Sequence, residues 1–163
     1  MGIELASRFR SFLPVIIDVE TGGLQPASDA LLELAAITTK MDDNGTLIPD
    51  KTYHYHILPF ENAGLDPAAL AFNKIDPTHP LRFAVRENEA LNDLFSHIKE
   101  ECKLKKCQRA VVVGHNAWFD LHFLNAAIER CKIKNSPFHR FTSFDTATLS
   151  GLIYGQTVLA KAL

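Results

Sequence analysis

Apolar and polar positions follow two rhythms along this chain, and the change of rhythm divides it. Leu13, Val15, Ile16, Ile17 and Val19 fill both faces of a short run, which predicts a buried central strand over residues 13–20. Leu31 to Met41 reads as a second strand, although its first half also fits a helical period. Asp42-Asp43-Asn44-Gly45 is a turn signal, and Lys51 to Leu58 then reads as a third strand antiparallel to the second. Pro67, Pro77 and Pro80 punctuate residues 59–80, so only a short helix around Ala68–Phe72 fits there. Leu91, Leu94, Phe95, Ile98 and Cys102 form the stripe of an amphipathic helix. A short buried strand follows at Ala110–Gly114. Next comes a helix from Ala117 to Cys131 with Leu121, Leu124 and Ile128 on one face. A strand near Phe144 and one or two helices beyond Thr146 complete the pattern. Three antiparallel strands followed by alternating helices and strands predict an α/β fold with a mixed sheet.

Composition narrows the class. With 163 residues, 47% hydrophobic and 22% charged, the chain is expected to form one domain, residues 1–163, around a sizeable core. No apolar run is long enough to span a bilayer, and Met1-Gly2-Ile3-Glu4-Leu5 lacks a charged-then-apolar leader pattern. Cys102, Cys107 and Cys131 are odd in number and form no CxxC pair. They read as reduced, partly buried thiols of a cytoplasmic protein rather than a disulfide framework. The formal net charge is −2, but its distribution is uneven. Residues 1–98 carry 7 Lys/Arg against 14 Asp/Glu, whereas residues 99–163 carry 10 against 5. Lys99, Lys103, Lys105, Lys106 and Arg109 cluster in one stretch, and Arg130, Lys132, Lys134 and Arg140 in another. On charge alone these read as a solvated helix end and a polar loop; a phosphate-binding patch is the sharper alternative.

Asp18 and Glu20, at the end of the first strand, are the main chemical signal. Carboxylates at i and i+2 of a strand share a face. Burying them is costly unless they are paired or hold a metal, so a metal site at the strand's carboxyl end is expected. A second acidic position, Asp120, falls in the first turn of a helix that follows His115-Asn116-Ala117-Trp118-Phe119. Taken singly it complements the helix dipole. His115 singly reads as a hydrogen-bonding residue at a strand end. His54 and His56 share one face of the third strand and read as an exposed sheet surface, with no metal assigned.

Together these segments carry a resemblance. Asp18-Val19-Glu20-Thr21-Gly22, followed about a hundred residues later by His115-Asn116-x-x-Phe119-Asp120, resembles the DEDD superfamily of 3′→5′ exonucleases. Within it the chain is most similar to the ribonuclease T family, in its His-containing variant. The likeness extends through Ala30–Thr38, Ala69–Pro77, Ser136–His139, Phe144–Ala147 and Gly155–Leu159. It implies a ribonuclease H-like fold and metal-dependent release of nucleoside 5′-monophosphates from the 3′ ends of tRNA and other small structured RNAs. It also implies two Mg2+ or Mn2+ ions held by Asp18, Glu20 and Asp120, a donor set whose hard oxygens suit those cations. Three of the four positions that stack the terminal bases are matched by Phe72, Phe119 and Phe141; the fourth is Leu24, which has no ring face. The expected partners are RNA with a single-stranded 3′ end, and also single-stranded DNA. Arg8, Arg10, Arg109 and Lys134 match the family's RNA-holding patch, which serves the active site of the other copy in a homodimer.

One expected element is missing from these 163 residues. The family's third motif, a His and an Asp on a C-terminal helix, does not occur before Leu163. Asp145 matches a different position and is expected to cap the helix that begins near Thr146. The chain is therefore read as a truncated exonuclease domain without its last helix and with little or no activity. A non-catalytic nucleic-acid-binding or dimerisation module stays open as an alternative, as does a proofreading-type DNA exonuclease of the same superfamily.

Overall fold

The computed structural model describes residues 4–162. After two single-turn 3-10 segments, β1 (Phe12–Thr21), β2 (Leu31–Met41) and β3 (Leu47–His56) form an antiparallel meander. The short helix α1 (Pro67–Asn73) and the long helix α2 (Glu87–Leu104) follow. Then β4 (Arg109–Gly114), α3 (Ala117–Arg130), β5 (Phe138–Asp145), α4 (Thr146–Tyr154) and α5 (Leu159–Ala162) alternate. The sheet order is β3-β2-β1-β4-β5, with β4 and β5 parallel to β1. The mixed α/β sheet expected from the periodicity is the one observed.

Local chemistry explains the boundaries. Asp42 Oδ1 accepts from the backbone N–H groups of Asn44 and Thr46, and Gly45 supplies the positive φ, 79°, that closes this turn. Pairing resumes immediately, so β3 begins at Leu47, four residues before the expected Lys51, and it ends at His56. Asp66 caps α1 by accepting from Ala68 N at 2.8 Å, with Pro67 at the first helical position. Asp145 caps α4 in the same way through Ala147 N.

The core gathers alternate residues of β1 (Leu13, Val15, Ile17 and Val19) with Leu91, Leu94, Phe95 and Ile98 of α2 and Leu121, Phe123 and Leu124 of α3. Each such side chain contributes roughly 1.5–3 kcal/mol when fully buried. The opposite face of β1 behaves differently along its length. Phe12 and Pro14 are buried, but Ile16, Asp18 and Glu20 are half-buried or exposed. The strand therefore fills both faces only in its first half, and the face bearing the two carboxylates opens toward its end.

Candidate active site

The carboxyl ends of β1 and β4 lie side by side, because the two strands are parallel from Phe12↔Arg109 to Ile16↔Val113. In open α/β sheets this edge is where ligands bind, since the chain leaves each strand there through a loop. Asp18 is exposed and Glu20 half-buried on the open face. Asp120 comes from the first turn of α3 and is only 6% exposed. Its Oδ1 accepts from Val19 N at 3.1 Å, which ties α3 to β1 across 101 residues of sequence. Gly114 lies close against this contact. A Cβ there would stand 3.3 Å from Asp120 Oδ2 and 3.3 Å from the Ala117 backbone.

Like charges crowd this corner. Burial first, and then the Asp18 charge, push the Asp120 carboxyl up to about 7. Burial, Asp18 and Glu33 likewise raise Glu20 above its ordinary value. Asp18 thus couples to both of the others. Three hard oxygen donors, two of them raised by burial and by the charge of the third, suit a divalent cation such as Mg2+ or Mn2+, which needs ionised carboxylates and offsets their repulsion.

The loop around this corner is bound to the end of β1. Gly22 N donates to Ala30 O, Asp66 N donates to Gly22 O, and Asn73 Nδ2 donates to Thr21 O. A side chain at Gly22 would meet Gly64 O at 2.5 Å, so only glycine lets these two backbones approach. The network brings α1, and with it Phe72, alongside the carboxylates. Phe72 is 88% exposed and Leu24, just beyond β1, is 76% exposed. Phe141 is 80% exposed on an outward excursion of β5, its ring edge-on to His139 at 4.6 Å. Core packing accounts for none of these three. Phe119 is the exception: half-buried beside Asp120, it packs against Phe123 at 5.0 Å and Trp118 at 5.9 Å.

The histidines near the site have other partners. His115 Nδ1 lies 3.1 Å from Thr146 Oγ1 and its Nε2 lies 2.7 Å from the Thr157 carbonyl oxygen. His139 Nδ1 accepts from Thr142 N.

The basic residues separate into two groups. Lys105 pairs with Asp50 and Glu101, Arg130 with Glu87, Lys106 with Glu4, and Arg140 with Glu129. Lys99, Lys103, Arg109, Lys132 and Lys134 form no ion pair among the described residues and line one groove of about 950 Å³. Arg109 opens β4 opposite Phe12, so this groove lies at the other end of the sheet from the carboxylates. Six residues of β1 separate Phe12 from Asp18, about 20 Å of strand. Arg8 and Arg10 are exposed nearby, stacked over Phe9 and Phe12. Sequence reasoning placed Lys99, Lys103 and Arg109 in one basic stretch and Lys132 and Lys134 in another; only the fold brings the two stretches to one groove.

The RNase_T exonuclease family model matches residues 15–162. Ribonuclease T of Pectobacterium atrosepticum is 59% identical over 158 residues, covering 97% of this chain and 71% of that protein. Ribonuclease T of Yersinia pseudotuberculosis is 57% identical, covering 97% and 74%. Among solved structures, E. coli exonuclease I in complex with a dT13 oligonucleotide superposes with a TM-score of 0.67 at 19% identity, and shares the fold. This chain covers about 30% of that exonuclease I chain. By family match, identity and coverage, the chain belongs to the ribonuclease T family of exonucleases, hydrolases of the 3′→5′ exoribonuclease class.

Proposed function

We propose that this domain hydrolyses single nucleotides from the 3′ ends of tRNA and other small structured RNAs, in the cytoplasm, with Asp18, Glu20 and Asp120 as its metal ligands. The observation that carries this reading is the convergence of those three carboxylates at the open end of β1, with two of them pushed toward the neutral form. Two Mg2+ or Mn2+ ions held there would supply charge stabilisation for the attacking and leaving oxygens of an in-line displacement.

The chain's own residues do the remaining work. Phe72 and Phe141 offer exposed rings to the terminal bases, while Phe119 is held from behind by Phe123. Leu24 contributes apolar contact without a ring face. Stacking is worth roughly 1–3 kcal/mol per base and tolerates any sequence, which suits trimming of varied RNA ends and of single-stranded DNA. Asp145, bonded to Asn116 N at 3.1 Å and Ala147 N at 2.8 Å, holds the loop before Asp120 rather than reaching substrate. In this reading Arg109, Lys134, Arg8 and Arg10 hold RNA phosphates. Their distance from the carboxylates favours a homodimer in which the groove of one copy serves the acids of the other. No helix among the described residues is long and apolar enough to cross a membrane, and the three cysteines are free thiols.

The third-motif His and Asp are not among these residues, so residues 1–163 alone are expected to cleave RNA poorly. Loss of a general base typically costs ~10²–10⁴-fold. Leu149, Leu152 and Ile153 of α4, spaced i, i+3 and i+4, are exposed and form an apolar face open to a further helix.

The test is an assay on 3′-tailed RNA with Mg2+ or with EDTA. It compares this chain with the same chain carrying whatever sequence its gene encodes beyond Leu163. Metal-dependent release of nucleoside 5′-monophosphates from the longer chain is the expected result. RNA binding that is indifferent to metal, with no release from either chain, would replace this reading with that of a binding module.

A further inference from the structure

The open sheet face that bears Asp18 and Glu20 continues onto β2 and β3, where a second group of ligating side chains gathers. Glu33 stands opposite Glu20 in the β1–β2 pairing and opposite His56 in the β2–β3 pairing. One register step along, Ala35 separates Asp18 from His54. Glu33 Oε1 lies 2.9 Å from His56 Nδ1, and Glu33 Oε2 lies 3.4 Å from His54 Nε2. The two imidazoles meet edge to face at 4.7 Å. One donor atom from each of the three residues lies within 4.8 Å of the others, the only such set of His, Cys, Asp and Glu among the described residues. Asp18, Glu20 and Asp120 do not form such a set, and the two groups share no residue, although Glu33 lies beside Glu20.

We propose that Glu33, His54 and His56 form a transition-metal site that takes Zn2+, separate from the carboxylate corner. Zinc bonds of about 2.0–2.1 Å in a tetrahedron place donors about 3.3 Å apart, close to the two contacts observed. Two imidazoles and one carboxylate suit Zn2+, whereas Mg2+ favours an all-oxygen octahedron. The fourth position opens to solvent, since the side chains of His54 and His56 are 46% and 39% exposed. Arg82 supports the carboxylate from behind. Its Nη2 donates to Leu32 O at 2.9 Å and stands 3.8 Å from Glu33 Oε1. Arg82 is also the cation that opposes the metal, and Glu20 across the strand offsets it. Because its ligands come from two strands, the ion would clamp β2 to β3. Read from sequence, His54 and His56 lacked a third donor, since Glu33 lies 23 residues before His56 and only the strand register joins them.

The competing reading is a metal-free ion pair between Glu33 and protonated imidazoles. Titrating Zn2+ into the metal-free chain, in excess Mg2+ and against a chromogenic chelator, separates the two without any RNA. One Zn2+ per chain is expected for the unaltered protein and for D18N/D120N. H54N/H56N should lose it. E33Q should weaken it at least about tenfold, as even outer partners of a metal ligand are worth 10–100-fold. Equal uptake by H54N/H56N, no uptake by the unaltered chain, or loss only in D18N/D120N would overturn the proposal. Should H54N/H56N fail to fold by circular dichroism, Co2+ bound to the unaltered chain decides. Intense visible bands of a four-coordinate, nitrogen-containing site support the proposal, and the weak bands of an oxygen-only octahedron overturn it.

Discussion

The two ends of the β1–β4 strand pair carry opposite chemistry, and the contrast shows how each kind of charge is tolerated. At the end where β4 begins, Arg109 and the lysines of the groove are exposed, hydrated and inexpensive to hold. At the end where β1 finishes, Asp18, Glu20 and Asp120 crowd together, one of them buried, and burial with the Asp18 charge favours the neutral forms of Glu20 and Asp120. Exposed cations need no built-in partner, and they suit mobile phosphates that they position without reading sequence. Clustered, part-buried acids without basic partners are a standing cost, tolerated where a cation will take them up. The same sheet thus offers a loose cationic groove at one end and a crowded acidic corner at the other.

The largest expected effect that sharpens this contrast is at Asp18. Asp18→Asn, made in a chain that cleaves RNA, should lower the rate by about 10³-fold or more, the scale of losing a group from the reacting centre. Arg109→Ala should leave the rate at saturating RNA nearly unchanged. Equal losses in the two variants would erase the distinction between the ends.

Next come the exposed rings. Phe72→Ala and Phe141→Ala should each weaken binding of an RNA 3′ end by roughly 1–3 kcal/mol, and Leu24→Phe should strengthen it. Fluorescence anisotropy with a short labelled RNA measures both directions. No change on removing either ring would show it to be an ordinary surface residue.

Asp120 gives a pH test. Its folded-state pKa is raised, so its ionised form opposes folding above about pH 7, and this cost vanishes below the ordinary value of about 4. In EDTA, Asp120→Asn should therefore stabilise the chain at pH 8, an advantage that shrinks to nothing as pH falls through that window. Thermal melts across pH show it, and a destabilised variant would contradict the crowded-acid picture. Mg2+ should stabilise the unaltered chain more at pH 8 than at pH 6, since it needs the ionised form.

The smallest effect lies in the groove. Arg109→Ala or Lys134→Ala should weaken RNA binding with little regard to sequence. Each should also reduce the slope of log affinity against log salt by about 0.7. An unchanged slope would take that residue out of the phosphate path.

Sequence by itself determined a good deal here, because much of the signal is local. The strand ending in Asp18 and Glu20, the Asp42–Gly45 turn, the Asp145 cap and the stripe of α2 all depend on neighbours within one or two turns of chain. The match of Asp18, Glu20 and Asp120 to one motif was likewise legible as spacing. What only the tertiary structure decided is which distant groups meet. Asp120 reaches Val19 N, 101 residues away, because α3 packs its first turn against β1. Lys99, Arg109 and Lys134 share a groove because the second half of α2, the start of β4 and the segment after α3 meet at the same edge. Glu33 stands between Glu20 and His56 because of register alone, and a slip of one residue would turn it to the other face. Periodicity says which side of an element a residue takes, but its neighbour across the sheet follows from how whole strands align, which no local pattern encodes.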